Sequence, residues 1–364
     1  MAVSTKVGII GCGNISSAYI NASRRFGALN VVACADLDMA RAEAKAAEHG
    51  LKALSVEALL ADPEIEIIIN LTVPAAHYEV AMRALAAGKH IYNEKPLTLN
   101  RADARALLAA AAERGLRVGC APDTFLGGAH QTSRKLIDDG WIGRPVAATA
   151  FMMGHGPEAW HPDPEFFYKP GAGPLFDMGP YYLTWLVDLL GPVAGVTAAS
   201  RISFPQRVIG SQAKRGQIID VEVPTHVVGL LHFESGALGT LITSFDVWGA
   251  RLPRIEIYGS EGTLHLPDPN FFDGSILLKR HDYDEWQQVP YTHGFTDNLR
   301  SIGVADMALA IREGRPHRAS GQLAAHVLDI MQTMLEAAEQ GRYLAVEQRC
   351  ERPAALPMDG AGLA

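Results

Sequence analysis

The sequence is poor in cysteine, with four among 364 residues: Cys12, Cys34, Cys120 and Cys350. They are too scattered for a disulfide framework, and three lie in or beside expected strands, where a thiol serves as a small apolar side chain. No CxxC or HExxH spacing occurs, so no metal site is expected. Basic runs are missing as well. The formal net charge is −8, which argues against nucleic acid or another polyanion as a partner. No apolar stretch is long enough to span a bilayer, and the first strand begins too early to leave space for a signal peptide. These absences lead to the expectation of a cytoplasmic protein in a reducing compartment, free of membrane contact.

What is present is a long, moderately apolar chain, 48% hydrophobic, for which two domains are the prior. Residues 1–121 alternate strand and helix. Strands are expected at 6–10, 30–35, 65–71, 90–93 and 117–120, with helices at 18–26, 39–49, 56–61, 77–87 and 101–114. Repeated βα units of this length imply an α/β domain of Rossmann type, a parallel sheet covered on both faces. The pattern changes near Ala121-Pro122. A helix is expected through 133–139 and a strand at 146–153, followed by a segment at 154–174 rich in Gly, Pro and aromatics without a clear period. Structureless segments of that length are usually functional. Strands follow at 193–203, 225–233, 237–245, 254–258 and 275–279, with helices at 182–190, 298–313 and 321–340. Residues 122–349 are therefore expected to form an α+β domain on a large, mostly antiparallel open sheet. One face would be covered by helices and the other left free to pair with a second subunit. Residues 350–364 read as a poorly ordered tail.

Three clusters carry chemistry. In the first, the strand at 6–10 runs into Gly11-Cys12-Gly13-Asn14-Ile15-Ser16 and then a helix, and the next strand ends at Asp36. This is the dinucleotide fingerprint, with Ser16 in place of the third glycine. Gly11 permits the tight turn, and Gly13 lets the backbone approach a pyrophosphate seated on the helix N-terminus, near Asn14 and Ile15. Asp36 can accept hydrogen bonds from ribose hydroxyls. A 2′-phosphate would face that carboxylate with only Arg41 nearby, so NAD is favoured over NADP.

The second cluster ends two strands of the same sheet, on the edge where ligands of open parallel sheets bind. Thr72-Val73-Pro74 would suit the flat face of a nicotinamide ring, with His77 one turn later as a cofactor contact or a helix-start residue. Glu94-Lys95-Pro96 places an ammonium where it can reach a substrate oxygen. The same placement also suits a surface lysine paired with Glu94. The third cluster, Gly171 to Tyr182, joins the irregular segment to an apolar helix. Pro180 suits its first turn and Asp177 its entry cap. Tyr181 would project near the helix start, where Lys95 could supply the cation that a phenol needs to act as a base at neutral pH. In the segment before it, Trp160 could stack on a sugar face, with His155, His161, Tyr168 and Lys169 as polar contacts. Asp123 and Thr124 could also face the cleft. Such aromatics can equally be local packing. Arg300, His317 and His326 read as structural.

Taken together, these segments resemble the Gfo/Idh/MocA superfamily of nicotinamide-dependent oxidoreductases. The resemblance rests on Gly11/Gly13, Asp36, Thr72-Val73-Pro74 with His77, Ala87-Gly88-Lys89-His90 leading into Glu94-Lys95-Pro96, Gly171-x-Gly173 through Asp177-Met178-Gly179, and Ile257 to Gly262. It implies a Rossmann domain plus an open-sheet domain through which dimers or tetramers form. It also implies that Lys95 is catalytic and that Asp177 binds or orients the substrate. Where many members carry a His four residues after that Asp, this chain has Tyr181, similar to the dihydrodiol dehydrogenase and glucose–fructose oxidoreductase branches. The expected activity is hydride transfer between NAD and a secondary carbinol of a sugar, cyclic polyol or diol. Tyr181 would move the proton and Lys95 would steady the oxygen. A catalytically silent NAD-binding regulator, or an epimerase or glycosidase-like enzyme recycling a tightly held NAD, are the alternatives.

Overall fold

The computed structural model describes residues 4–363. Six strands, β1 (Thr5–Ile10), β2 (Leu29–Ala35), β3 (Lys52–Leu54), β4 (Ile67–Asn70), β5 (His90–Asn93) and β6 (Val118–Cys120), form a sheet in the order β3-β2-β1-β4-β5-β6. Every neighbouring pair is parallel. The central strands are apolar at successive positions, with Ile67, Ile68 and Ile69 all fully buried, as a sheet covered on both faces requires. Helices α1 (Ser16–Ser23), α2 (Met39–His49), α3 (Val56–Ala61), α4 (His77–Ala86) and α5 (Arg101–Glu113) connect the strands. Asp38, Ser55 and Asn100 cap α2, α3 and α5 by accepting a backbone N–H of the first turn, which fixes where each helix begins. The strand order reverses at β1, which lies between β2 and β4. The loops after β1 and β4 diverge there and open a crevice at the C-terminal edge.

The remaining elements are α6 (Gly128–Asp138), β7 (Pro145–Met153), α7 (Gly173–Leu190), β8 (Val193–Arg201), β9 (Gln206–Val208), β10 (Ile218–Asp220), β11 (His226–Phe233), β12 (Leu238–Ser244), β13 (Ile255–Gly259), β14 (Gly262–Leu266), β15 (Leu277–Arg280), β16 (Gln287–Gln288), α8 (Ile302–Glu313), α9 (Gly321–Gln340) and β17 (Leu344–Ala345). Among the described residues the second sheet has nine strands, ordered β16-β15-β14-β13-β7-β12-β11-β8-β17. Its pairs are antiparallel except β7 with β12, which run parallel, so the sheet is mixed and mostly antiparallel. Along β11 the residues alternate: Val227, Gly229, Leu231 and Phe233 are buried, while His226, Val228, Leu230 and His232 are not. Helices α7 and α9 pack on the sheet, and Leu230 and Leu238 remain exposed. No helix among the described residues is long and apolar enough to cross a membrane.

Several expectations change. The apolar helix expected at 182–190 begins nine residues earlier, at Gly173, whose φ of +83° suits glycine, with Pro174 in the first turn. Pro180 is therefore interior rather than at the first turn. Asp177 is no entry cap and stands one turn before Tyr181 within the helix. Helix α8 starts at Ile302 rather than 298, because Ser301 has a φ of +137°. The described part of the tail, residues 350–363, is packed on the domain: Leu356 and Leu363 are buried, Leu356 N donates to Gln131 at 2.7 Å, and Arg352 Nε donates to the Asp188 carbonyl at 2.6 Å. Hydrophobic anchors outweigh the Pro and Gly content there. The short pieces β3, β9, β10, β14, β16 and β17 were not expected, since two to five residues leave little periodicity to read.

Candidate active site

The crevice side is built from backbone. Gly11 has a φ of +103°, and a Cβ on it would lie 2.6 Å from the Leu71 carbonyl carbon and oxygen and 2.8 Å from Thr72 N. The turns after β1 and β4 therefore touch backbone to backbone, and only glycine fits. Gly13 is the opposite case, with nothing within 4 Å of an added Cβ. That open space, next to the first amides of α1 and the exposed Asn14, fits a pyrophosphate, and a larger residue would fill it. Ile15 is half-buried at the helix entry, and Ser16 Oγ donates to Gly13 O at 2.6 Å. Asp36 accepts from Cys12 N at 2.8 Å through one oxygen and from Asp38 N at 3.0 Å through the other. It thus ties the glycine turn to the end of β2 and keeps lone pairs for ribose hydroxyls. Arg41 pairs with Asp38 at 3.4 Å, and among the described residues Asp36 makes no ion pair. Leu37 and Val73, 95% and 68% exposed, follow Asp36 and Thr72, where a flat base or ring would cover them.

Thr72 Oγ1 and N donate to Asn70 Oδ1 at 2.7 and 3.3 Å, and Pro74 opens a short 3₁₀ turn. His77 requires a correction. It is 1% exposed, with ring nitrogens 2.7 Å from Pro96 O and 3.0 Å from Thr72 O. The buried ring lies between the loops after β4 and β5, where its neutral form gives its one N–H to one of these two carbonyls, so it does not face the crevice as an open cofactor contact. Both Glu94 oxygens are engaged, one by Tyr19 OH and the other by Lys95 N, each at 2.8 Å.

Across the crevice, Lys95 Nζ donates to Asp177 O at 2.8 Å and to Asp177 Oδ1 at 2.9 Å. It also lies 5.5 Å from the centre of the Tyr181 ring. Helical spacing of four sets Asp177 and Tyr181 on one face of α7, and that face meets the loop following β5. Burial acts to lower the Lys95 pKa, but Asp177, Tyr181 and Glu94 outweigh it, so the amine is held as ammonium. For Tyr181 burial dominates. It raises the phenol above its ordinary value against the lowering by Lys95 and Arg300, with Glu94 raising it further. Burial thus works against the lowering that the sequence led us to expect from Lys95. Arg300, set aside as structural from the sequence, is the second charge that pulls this phenol down. Its guanidinium donates to Asn270 Oδ1 and Asn298 Oδ1, both at 2.8 Å.

The expected substrate contacts divide. Asp123 is 1% exposed and accepts from Ser301 N and Gly303 N, both at 3.0 Å. It anchors the start of α8 and does not face a ligand. Tyr168 is fully buried, its hydroxyl donating to Glu158, so it has no surface to offer a sugar. It belongs to a small separate core with Phe167, Ile209, Ile219, Val221 and Phe245. Lys169 pairs with Glu222 on the surface. His161 packs edge-on against Phe166 and Phe167, and Trp160, 69% exposed, meets His161 edge-on. His155 stacks on Trp248 at 3.4 Å. Among the described residues the partners of these five lie within residues 154–248 and do not include Lys95, Asp177 or Tyr181.

A family model for an oxidoreductase family with an NAD-binding Rossmann fold matches residues 5–121, and one for the GFO/IDH/MocA C-terminal domain matches residues 130–265. The chain is 29% identical over 263 residues to the 1,5-anhydro-D-fructose reductase of Ensifer adhaerens, covering 71% of this chain and 74% of that one. It is 29% identical over 310 residues to the dTDP-3,4-didehydro-2,6-dideoxy-alpha-D-glucose 3-reductase of Streptomyces antibioticus, covering 83% and 85%. Among solved structures, levoglucosan dehydrogenase in complex with NADH and levoglucosan superimposes with a TM-score of 0.80 over 95% of this chain and all of that one, at 23% identity. That identity speaks for the fold alone.

Proposed function

The chain belongs to the GFO/IDH/MocA family of oxidoreductases, with an NAD-binding Rossmann domain, and from that premise we propose that it moves a hydride between NAD and a secondary alcohol or ketone of a sugar, cyclic polyol or related diol. The substrate class follows its named relatives, which are reductases of sugar derivatives. The observation that carries the reading is the Lys95 ammonium, bonded to Asp177 and set beside Tyr181 at the end of β5.

The glycine turn from Gly11 to Ile15 and the first amides of α1 would hold the pyrophosphate, and Asp36 the adenosine ribose. Thr72 and Pro74 would border the nicotinamide, which supplies or accepts the hydride when bound. Lys95 donates a hydrogen bond to the reacting oxygen and steadies the charge that gathers there. Tyr181 gives its proton to that oxygen during ketone reduction and recovers it during alcohol oxidation. Asp177 keeps Lys95 charged and offers its second oxygen to a neighbouring hydroxyl, which fixes the ring's orientation. The exposed sheet face around Val228, Leu230 and Leu238 would pair with a second copy of the chain, giving a homodimer or a tetramer.

The test is a panel of sugars, inositols, anhydrosugars and their keto forms, followed by NADH absorbance. Turnover with one or more is expected. Tight NADH binding without turnover on any member would sink the reaction and favour a regulator.

A further inference from the structure

The helix that would carry the pyrophosphate and the loop that carries Lys95 are joined by a side chain to which the reading above gives no task. Tyr19, on α1, is fully buried. Its hydroxyl donates to one Glu94 oxygen at 2.8 Å, and the other Glu94 oxygen accepts from Lys95 N at 2.8 Å. A line of bonds thus runs from α1 through a carboxylate to the backbone of the lysine. The base of that line is fixed. Ser301 Oγ donates to Tyr19 O and Ser23 Oγ donates to Ser301 Oγ, both at 3.0 Å, so the loop before α8 pins α1. Glu94 N still donates to Asn70 O at 2.9 Å, as a last rung of the pairing between β5 and β4. One residue on, the rung is a side chain: the Lys95 N–H goes to the Glu94 carboxylate. At the far end of the same residue, Nζ is held by Asp177 of α7. The parallel-sheet half of the molecule therefore holds Lys95 by its amide, and the second half holds it by its ammonium.

We infer that Tyr19 is a positioning residue for Lys95: its hydroxyl orients the Glu94 carboxylate, which sets the peptide from which the lysine side chain leaves. The inference rests on Lys95 being the group that meets the reacting oxygen. A lysine carries its charge on a flexible four-carbon stem, so the place of Nζ depends on both of its anchors. Glu94 is only half-buried. Without the Tyr19 hydroxyl, one of its oxygens turns to water, the carboxylate is free to rotate, and the Lys95 amide loses its fixed acceptor. A misplacement of about 1 Å at a reacting group costs on the order of 10²-fold in rate, so a smaller loosening is still measurable. The brace also ties the lysine to the cofactor helix, so that the hydride carrier and the oxygen it serves are placed from one frame.

The experiment is a double-mutant cycle of Tyr19→Phe with Lys95→Ala, read by NAD-linked turnover, together with chemical labelling of the cofactor-free protein. Tyr19→Phe removes one oxygen and keeps the ring. Alone, it should lower turnover about tenfold, the worth of one charge-assisted hydrogen bond. Added to Lys95→Ala, it should change turnover by less than about twofold, because groups that act through one another do not add. Without cofactor, acetylation of Lys95 by an N-hydroxysuccinimide ester, followed by peptide mass, should be several-fold faster in Tyr19→Phe. Lys89, buried and bonded to the carbonyls of Asp62 and Ile65, should label as in wild type. The same turnover loss in both backgrounds, or faster labelling of Lys89 as well, would mean that Tyr19 only supports the fold, and the inference would be overturned. Wild-type turnover in Tyr19→Phe would overturn it too. If Tyr19→Phe does not fold, Glu94→Ala replaces it in both arms with the same outcomes, since the brace passes through that carboxylate. Wild-type turnover in Lys95→Ala would place the failure in the reading of Lys95. A slow Lys95→Ala beside additive losses would place it in Tyr19 alone.

Discussion

The chain builds two clusters from the same chemical parts, a cation, a carboxylate and a tyrosine: Lys95 with Asp177 and Tyr181, and Arg207 with Glu158 and Tyr168. In the first pair the charged side chains are 18% and 25% exposed, in the second 4% and 8%. In the sealed cluster four of the five Arg207 N–H groups are given away. Arg207 Nε donates to Glu158, Nη1 to Asp246, and Nη2 to the carbonyls of His155 and Phe245. Tyr168 OH takes the second Glu158 oxygen, and Thr225 takes the second Asp246 oxygen. A ligand could enter only by breaking these bonds. In the open cluster the ammonium has given two of its three N–H groups to Asp177. Residue type does not make a site. Unspent hydrogen-bonding capacity beside an opening does, and the sealed cluster instead holds the 154–168 segment to β9 and to the end of β12.

The largest effects should fall where capacity is unspent. Lys95→Ala and Tyr181→Phe should each lower turnover by a factor on the order of 10²–10⁴, the usual worth of a positioned proton donor or its electrostatic partner. NADH affinity should stay near wild type, because the glycine turn and Asp36 are untouched. Steady-state rates and a fluorescence titration check both statements. If the open cluster were as structural as the sealed one, the two variants would lose melting temperature and keep their rates.

The mirror experiment removes the sealed cation. Arg207→Met leaves Glu158 and Asp246 buried without a counter-charge, which costs about 3–5 kcal/mol of folding stability. The Asp177 left by Lys95→Ala is partly solvated, so the same kind of truncation there should cost no more than about 1 kcal/mol. Urea denaturation of both variants decides the matter. Equal losses would erase the distinction between the clusters.

That distinction was not legible in the sequence. Both tyrosines sit near glycine, proline and acids; Tyr181 was expected to move the proton, and Tyr168 to be either a polar contact to the substrate or local packing. Gly11, Gly13 and Asp36 were legible because their geometry is set within thirty residues: a turn, a helix start and a strand end, each with a local reason for its residue. The parallel order of the first sheet followed from the same short-range βα repeats. Asp123 was misread, since a carboxylate at a domain boundary looks alike whether it faces a ligand or two amides. The start of α7 was misjudged because Pro180 reads as a first-turn residue, although Pro174 already fills that place.

His317 extends the comparison to a sealed group that can titrate. It is 7% exposed, with Nε2 3.0 Å from Val118 O. Burial pulls its pKa down from 6.5 to about 4 against weaker upward pulls from Val118 and Asp306. Between those values the unfolded chain takes up a proton that the folded chain refuses. The stability that neutral His317 contributes is thus complete above about pH 6.5 and is lost as the pH falls towards 4, by about 3 kcal/mol at most. Asp123 runs the other way. Its carboxyl is pushed up from 3.8 to about 6, chiefly by burial, so the folded chain protonates first and gains stability over that span. The two trends overlap, and a single acid curve of the wild type would hide both. His317→Gln separates them, because it keeps a side-chain donor for Val118 and removes only the titration. Urea curves at pH 7 and near pH 4.5 should show the variant gaining about 2–3 kcal/mol on wild type as the pH falls, with Asp123 cancelling from the difference. A stability difference that stays constant across that range would mean that the imidazole is hydrated in the fold and not sealed.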